Sequence, residues 1–295
     1  LPRLEHVCAR CFPECQEIQC VLKVDAYYPR LPAAGSDPLE DSLRPPFPLV
    51  IISSGFLVDG DQMAAYARRF ASYGYVALTY TKAEGVAAGT LDDVVSARFI
   101  SELADWAEGG RTPVGRIADV RGAGVYLVGH SRGGKLSVLA AAGDERVRGV
   151  GLADPVDNTR YAPVGARYPS ACEALRAAGA RFPPLAVVGA TRGGDCAPPE
   201  ANWRNFARAY AGGERGLWEV ELDAGHFQLV QDASAVQRAV CGTGPSSDGA
   251  VLSTAAAVLV AHADSVFRPG AGASLERAAA ARASGGGVVV AAREA

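Results

Sequence analysis

Residues 124–135, Gly-Val-Tyr-Leu-Val-Gly-His-Ser-Arg-Gly-Gly-Lys, constrain the fold more than any other stretch. Val125 to Val128 is an apolar run of β-formers, the pattern of a buried strand. It breaks at Gly129-His130-Ser131-Arg132-Gly133, a G-x-S-x-G pattern, and Leu136, Leu139 and Ala140 then recur at helical spacing. Strand, sharp turn and helix form the setting in which this pattern lifts a serine hydroxyl clear of the backbone. The flanking glycines are needed where a β-carbon would collide with strand or helix. The hydroxyl then stands at the positive end of the helix. Without that setting the same residues would be an ordinary glycine-rich loop; within it Ser131 reads as a nucleophile.

The rest of the chain repeats the strand-then-helix alternation. Residues 20–28 alternate as an antiparallel edge strand, and residues 29–48, with six prolines, read as a long connection. Leu49-Val50-Ile51-Ile52 is apolar on both faces, hence central, and ends in the small turn Ser53-Ser54-Gly55-Phe56. Residues 62–73 and 91–107 show helical spacing on either side of a strand at 75–80. After the 125–128 strand come strands at 147–153, 185–190 and 218–222, the last of them followed by Gly225-His226-Phe227. Helices are predicted at 203–210, 250–267 and 275–283, and a short one within 158–184. Such βα units predict an α/β fold with a mostly parallel central sheet and helices on both faces. No repeat or linker divides the chain, so one domain over 1–295 is expected, with a cysteine-rich segment at 1–20 and a glycine-rich tail at 285–295.

Composition narrows the function. The 295 residues are 49% hydrophobic and 21% charged with net charge −3, which fits a packed enzyme and argues against nucleic-acid binding. No run reaches the roughly 18 consecutive apolar residues of a membrane span. Phosphate-loop and dinucleotide fingerprints are absent. Cys8, Cys11, Cys15 and Cys20 crowd the start, while Cys172, Cys196 and Cys241 are scattered. Without a second paired knuckle or a His-x3-His partner, the first four read as disulfides within their own segment, not as a metal site. Cys196 and Cys241 are expected to pair across two loops near the site.

A serine hydroxyl attacks an ester only when a base takes its proton. Of four histidines, His6 lies among the cysteines, His130 inside the turn and His262 on a late helix. His226 follows the final predicted strand, where this topology presents a base. Asp154, Asp157 and Asp195 all satisfy the chain order serine, acid, histidine. Asp154 ends a strand and is stopped by Pro155, which favours it; Asp is also a common turn residue, and Asp157 could cap the loop that follows. The N–H groups of Phe56 and Arg132 are placed to bind an oxyanion. This chemistry needs no metal and no cofactor.

Gly129-His130-Ser131-Arg132-Gly133-Gly134, Asp154-Pro155-Val156, Cys196-Ala197-Pro198 leading to Asn202, and Gly225-His226 with Leu229 and Asp232 together resemble the chlorophyllases. Ser54-Gly55-Phe56 stands where that family has His-Gly-Phe. The resemblance runs over about residues 20–240 and implies an α/β-hydrolase fold. It implies cleavage of the phytyl ester of chlorophyll, or of a related porphyrin ester, to chlorophyllide and phytol. It carries nucleophile, acid and base onto Ser131, Asp154 and His226. A chloroplast location and peripheral membrane association come with it, and a first residue of Leu1 fits a removed leader or a trimmed chain. Cutinases and platelet-activating-factor acetylhydrolases share the serine turn, so a lipid or cutin-type ester is the alternative substrate. A non-catalytic binding relative is the third reading.

Overall fold

Alternation along the strands decides which helices cover which face of the sheet. The computed structural model describes residues 4–11, 14–15, 17–29, 45–84, 90–110, 112–210, 216–270, 272–283 and 288–294. Strands β1 (Leu4–Val7), β2 (Val21–Tyr27), β3 (Leu49–Ser53), β4 (Val76–Lys82), β5 (Val125–His130), β6 (Val147–Ala153), β7 (Leu185–Arg192), β8 (Leu217–Gly225) and β9 (Val289–Glu294) form one nine-stranded sheet in the order β1-β2-β4-β3-β5-β6-β7-β8-β9. The six strands from β4 to β8 run parallel, and β1, β2 and β9 are antiparallel additions at the margins. On β3, Leu49 and Ile51 enter one core while Val50 and Ile52 enter the other, the two-residue period of a strand buried on both faces. The same split places Leu127 of β5 in the first core and Tyr126 in the second.

Helices α2 (Asp93–Glu108), α3 (Arg132–Ala141), α4 (Ala171–Ala178) and α5 (Trp203–Ala209) pack on the first face. Helices α1 (Ala64–Ala71), α6 (Ala235–Cys241), α7 (Asp248–Phe267) and α8 (Leu275–Ala283) pack on the second. Phe99, Ile100 and Leu103 of α2 are buried at helical spacing, each such side chain contributing about 1.5–3 kcal/mol of transfer free energy. The Asp92 side chain accepts from the Val95 N–H and caps that helix, a contact of about 1 kcal/mol. By length and composition α7 could cross a membrane, a span the sequence reading did not find. Here Val251, Ala255, Val258, Leu259 and Ala263 are buried against the sheet and its neighbours, so it serves as a core helix.

Three expectations are corrected. The strand at 21–27 is not an edge, because β1 pairs outside it; four residues are too few to show a period. The strand at 217–225 is not the last, because residues 289–294 of the expected tail pair with it as β9. That strand is exposed over most of its length, so burial left no apolar pattern to read, and its backbone bonds hold it instead. Helix α6 was not expected at all. Most of the proline-rich connection, residues 30–44, lies outside the described residues, as do 285–287 of the tail. The cysteines pair as Cys8–Cys11, Cys15–Cys20 and Cys196–Cys241, and Cys172 is a buried thiol.

Candidate active site

β5 runs into Ser131, and α3 starts at the next residue. Ser131 holds φ 56° and ψ −128°, a conformation costing a non-glycine residue on the order of 1–3 kcal/mol. The surroundings fix it there. The Ser131 N–H donates to the Ala153 carbonyl at 3.2 Å, and its own carbonyl accepts from the N–H groups of Gly134 and Val156 at 2.9 and 3.1 Å. A β-carbon on Gly133 would overlap the Ser53 carbonyl, so that glycine lets the end of β3 pass beneath the turn.

The structure brings Ser131, His226 and Asp154 together. His226 opens a 3-10 turn directly after β8 and is 1% exposed. Its Nε2 lies 2.9 Å from Ser131 Oγ, and its Nδ1 lies 2.6 Å from Asp154 Oδ2. Asp154 directly follows β6, the strand beside β5, with φ 42° and no exposed surface. Its other carboxylate oxygen accepts from the Ala190 N–H at 3.0 Å, while its own N–H donates to Val188 at 2.6 Å. The order hydroxyl, imidazole, carboxylate lets the ring take a proton from Oγ while the carboxylate holds Nδ1–H.

The other candidates are occupied elsewhere. Asp157 accepts from Ser170 Oγ at 2.6 Å and from the N–H groups of Ala171 and Cys172, so it caps α4. Asp195 is exposed in a 3-10 turn beside the Cys196–Cys241 disulfide. His6 meets Glu102 at 2.9 Å. His262 is buried, with Nδ1 2.7 Å from the Tyr126 hydroxyl, and burial holds its pKa down at about 3. His130 packs its ring 4.6 Å from that of His226, and its Nε2 donates to the His226 carbonyl at 3.1 Å. Burial, reinforced by His226, holds His130 well below the usual histidine range, so it is neutral.

Phe56 and Arg132 flank the hydroxyl. A β-carbon on Gly55 would come within 2.8 Å of Ser131 Cβ, which places the 54–57 turn directly against the serine. Among the described residues neither the Phe56 N–H nor the Arg132 N–H donates to a backbone carbonyl. Phe56 and Leu57 are themselves exposed, and α6, with exposed Val236 and Val240, adjoins them through the Gln237 Nε2 contact to the Leu57 carbonyl.

Sequence reasoning missed the charges behind the turn. The Arg132 guanidinium meets Asp93 at 2.7 Å and Glu84 at 2.8 Å, Lys82 meets Glu84 at 3.1 Å, and Lys135 lies 2.7 Å from Asp93 and 3.8 Å from Asp157. Three cations and three carboxylates alternate from the end of β4 to the cap of α4. Burial pushes the Glu84 carboxyl up, but Lys82 and Arg132 outweigh it and hold the group below its usual range. Burial also lowers the Lys82 ammonium. The one signal available was the pair Asp92-Asp93 opening a helix, which by itself reads as capping.

No protein-family model matches the chain, and no curated protein sequence does. Among solved structures it is similar to a ferulic acid esterase from Streptomyces cinnamoneus, with a TM-score of 0.63 and 18% identity over 90% of this chain and 89% of that one. That likeness, together with the sheet order and the serine turn after β5, defines the fold as that of the α/β-hydrolases. At such identity it speaks for the fold and leaves the substrate open.

Proposed function

We propose that this chain is a carboxylic ester hydrolase working through Ser131, His226 and Asp154, and that its substrate is the phytyl ester of chlorophyll. The observation that carries the reaction class is the continuous relay from Ser131 Oγ through His226 to Asp154, at 2.9 and 2.6 Å. Ser131 Oγ attacks the ester carbonyl carbon while His226 Nε2 takes its proton. The negative charge that gathers on the carbonyl oxygen is met by the N–H groups of Arg132 and Phe56, each worth about 3 kcal/mol in comparable sites. The tetrahedral intermediate collapses, His226 returns the proton to the departing alcohol oxygen, and an acyl-serine remains. Water, deprotonated by the same imidazole, attacks that carbonyl, releases the acid and restores the hydroxyl. Asp154 keeps the ring in the Nδ1–H tautomer and stabilises the imidazolium formed twice in the cycle.

The substrate rests on a different footing. The Arg-containing serine turn, the Asp154-Pro155-Val156 strand end and the Cys196-Ala197-Pro198 segment are what the chain shares with chlorophyllases. Exposed Phe56 and Leu57 in the turn against the serine, with exposed Val236 and Val240 on the adjoining α6, suit a long apolar alcohol, which binds through area removed from water, about 25 cal/mol per Å2. With that substrate go a plastid location and contact with membrane surfaces. The ferulic acid esterase likeness makes a phenolic-acid ester the competing reading. Incubation with chlorophyll a, methyl ferulate and a short p-nitrophenyl ester, with products separated, tests it. Chlorophyllide with phytol is the expected result. Release of ferulate without chlorophyllide would move the assignment to phenolic esters, and inertness toward all three would remove the reaction class.

A further inference from the structure

Gln228, two residues beyond the imidazole, is 2% exposed and uses every hydrogen bond an amide side chain can make. Its Oε1 accepts from the N–H groups of Gly225 at 2.8 Å and Gly244 at 2.6 Å. Its Nε2 donates to the Ser246 carbonyl at 2.6 Å and to the Asp248 carboxylate at 3.0 Å. The orientation admits no flip, because two donors face the oxygen and two acceptors face the nitrogen. Neither Glu nor Leu supplies that set. The Gly225 N–H is the backbone donor just before His226, and the His226 carbonyl is taken by His130 Nε2. The Gly225 N–H and the His226 carbonyl are thus each held by a side chain. On the far side of the amide, residues 244–248 lead into α7, so the base loop hangs from the start of the long core helix.

From this we infer that Gln228 is a positioning residue for His226: it ties the loop of the base to the N-terminal end of α7 and so keeps the imidazole on Asp154. The inference rests on the ester-hydrolase reading for its kinetic consequence but not for its structural one. Gly225 freed from Gln228 would let the ring drift, and a misplacement of about 1 Å costs on the order of 100-fold in rate.

The experiment compares the parent protein with Gln228→Leu, Gln228→Glu and Tyr75→Phe. Tyr75→Phe removes a part-buried hydrogen bond to Asp264 well away from the site. Sites are counted by fluorophosphonate labelling, so that kcat refers to folded protein only. Both Gln228 variants should lose about 10- to 100-fold in kcat on a p-nitrophenyl ester, with KM within about twofold. The far-downfield proton between His226 and Asp154 should weaken or vanish in the NMR spectrum. Tyr75→Phe should lower the melting temperature and leave kcat and proton in place. If the Gln228 variants keep the parent's kcat and proton, or if Tyr75→Phe moves them equally, the inference is overturned while the esterase reading stands. A parent protein that neither hydrolyses the ester nor takes the label would sink that reading instead, and the downfield proton would still decide the hold of Gln228 on His226.

Discussion

Ser131 and His226 sit 2.9 Å apart and are held by opposite means. The serine turn is local: its strand, its glycines and its helix lie within 17 residues, β5 through α3, and its strain is imposed by backbone packed close around it. The base loop is assembled from a distance. Tyr66 donates to the Leu229 carbonyl at 2.9 Å, Gln62 exchanges bonds with Gln231, Gln228 ties Gly225 to residues 244–248, and Cys196–Cys241 closes the flank. A nucleophile can be strained into place by sterics within one motif. A base has to be brought to it by contacts from elsewhere in the chain.

The largest break falls on the local side. Ser131→Ala should lower ester hydrolysis about 10^6-fold with folding intact, since members of such a unit act together; full labelling by a serine-directed phosphonate in that variant would disprove the assignment. Next comes the acid that joins the two regions. Asp154→Asn keeps the shape but favours the wrong tautomer, and should cost about 10^4-fold in kcat. Asp157→Asn and Asp195→Asn should stay within about tenfold, and a larger loss at Asp195 would hand it the role of the acid.

Acid should strike beneath β5. His262 Nδ1 lies 2.7 Å from the Tyr126 hydroxyl of β5, and burial lowers the pKa of His262 to about 3. Between about pH 3 and the ordinary histidine value near 6.5 the unfolded chain binds the proton and the folded one does not, so stability is fully present above about 6.5 and lost as pH falls toward 3. The contribution is at most about 5 kcal/mol at one unit per 1.36 kcal/mol. Denaturant unfolding measured across that window should show the slope, and His262→Gln should flatten it. His130, lowered for the same cause, adds in the same direction.

Two smaller breaks sharpen the contrast. Asp93→Asn leaves Arg132 and Lys135 short of a buried carboxylate and should cost about 3–5 kcal/mol by denaturant unfolding. Cys241→Ser opens a link between residues 45 apart in sequence and should cost about 2–4 kcal/mol. The second should also slow turnover more than the melting temperature predicts, because it loosens the loop that carries His226. Equal activity in both variants at matched stability would erase the distinction between the two regions.

Legibility in the sequence follows the same division. The serine turn, the inner parallel strands and α2, α3 and α7 could be read because periodicity and glycine placement are energies within a single segment. β9 and β1 could not, since an exposed or very short edge strand carries no apolar period and is held by bonds to its neighbour. Chain order alone admitted Asp154, Asp157 and Asp195, and strand-end placement only tilted the choice. The three separate by contacts that no local pattern encodes: Asp154 abuts β7 and His226, Asp157 caps α4, and Asp195 faces solvent.

The sequence by itself determined that a strained serine would stand at the end of a central strand, that a histidine would follow a later strand, and that small, β-branched and apolar residues would build a sheet covered on both faces. These outcomes depend on steric and burial terms summed over a few neighbouring residues. Only the tertiary structure decided which aspartate meets the imidazole, how Lys82, Glu84, Arg132, Asp93 and Lys135 share charge behind the turn, and that Gln228 holds the base loop to α7. Each is a hydrogen bond or ion pair between groups that folding brings within 3 to 4 Å from separate segments, and only at such distances, out of water, do directional polar contacts select one partner over another.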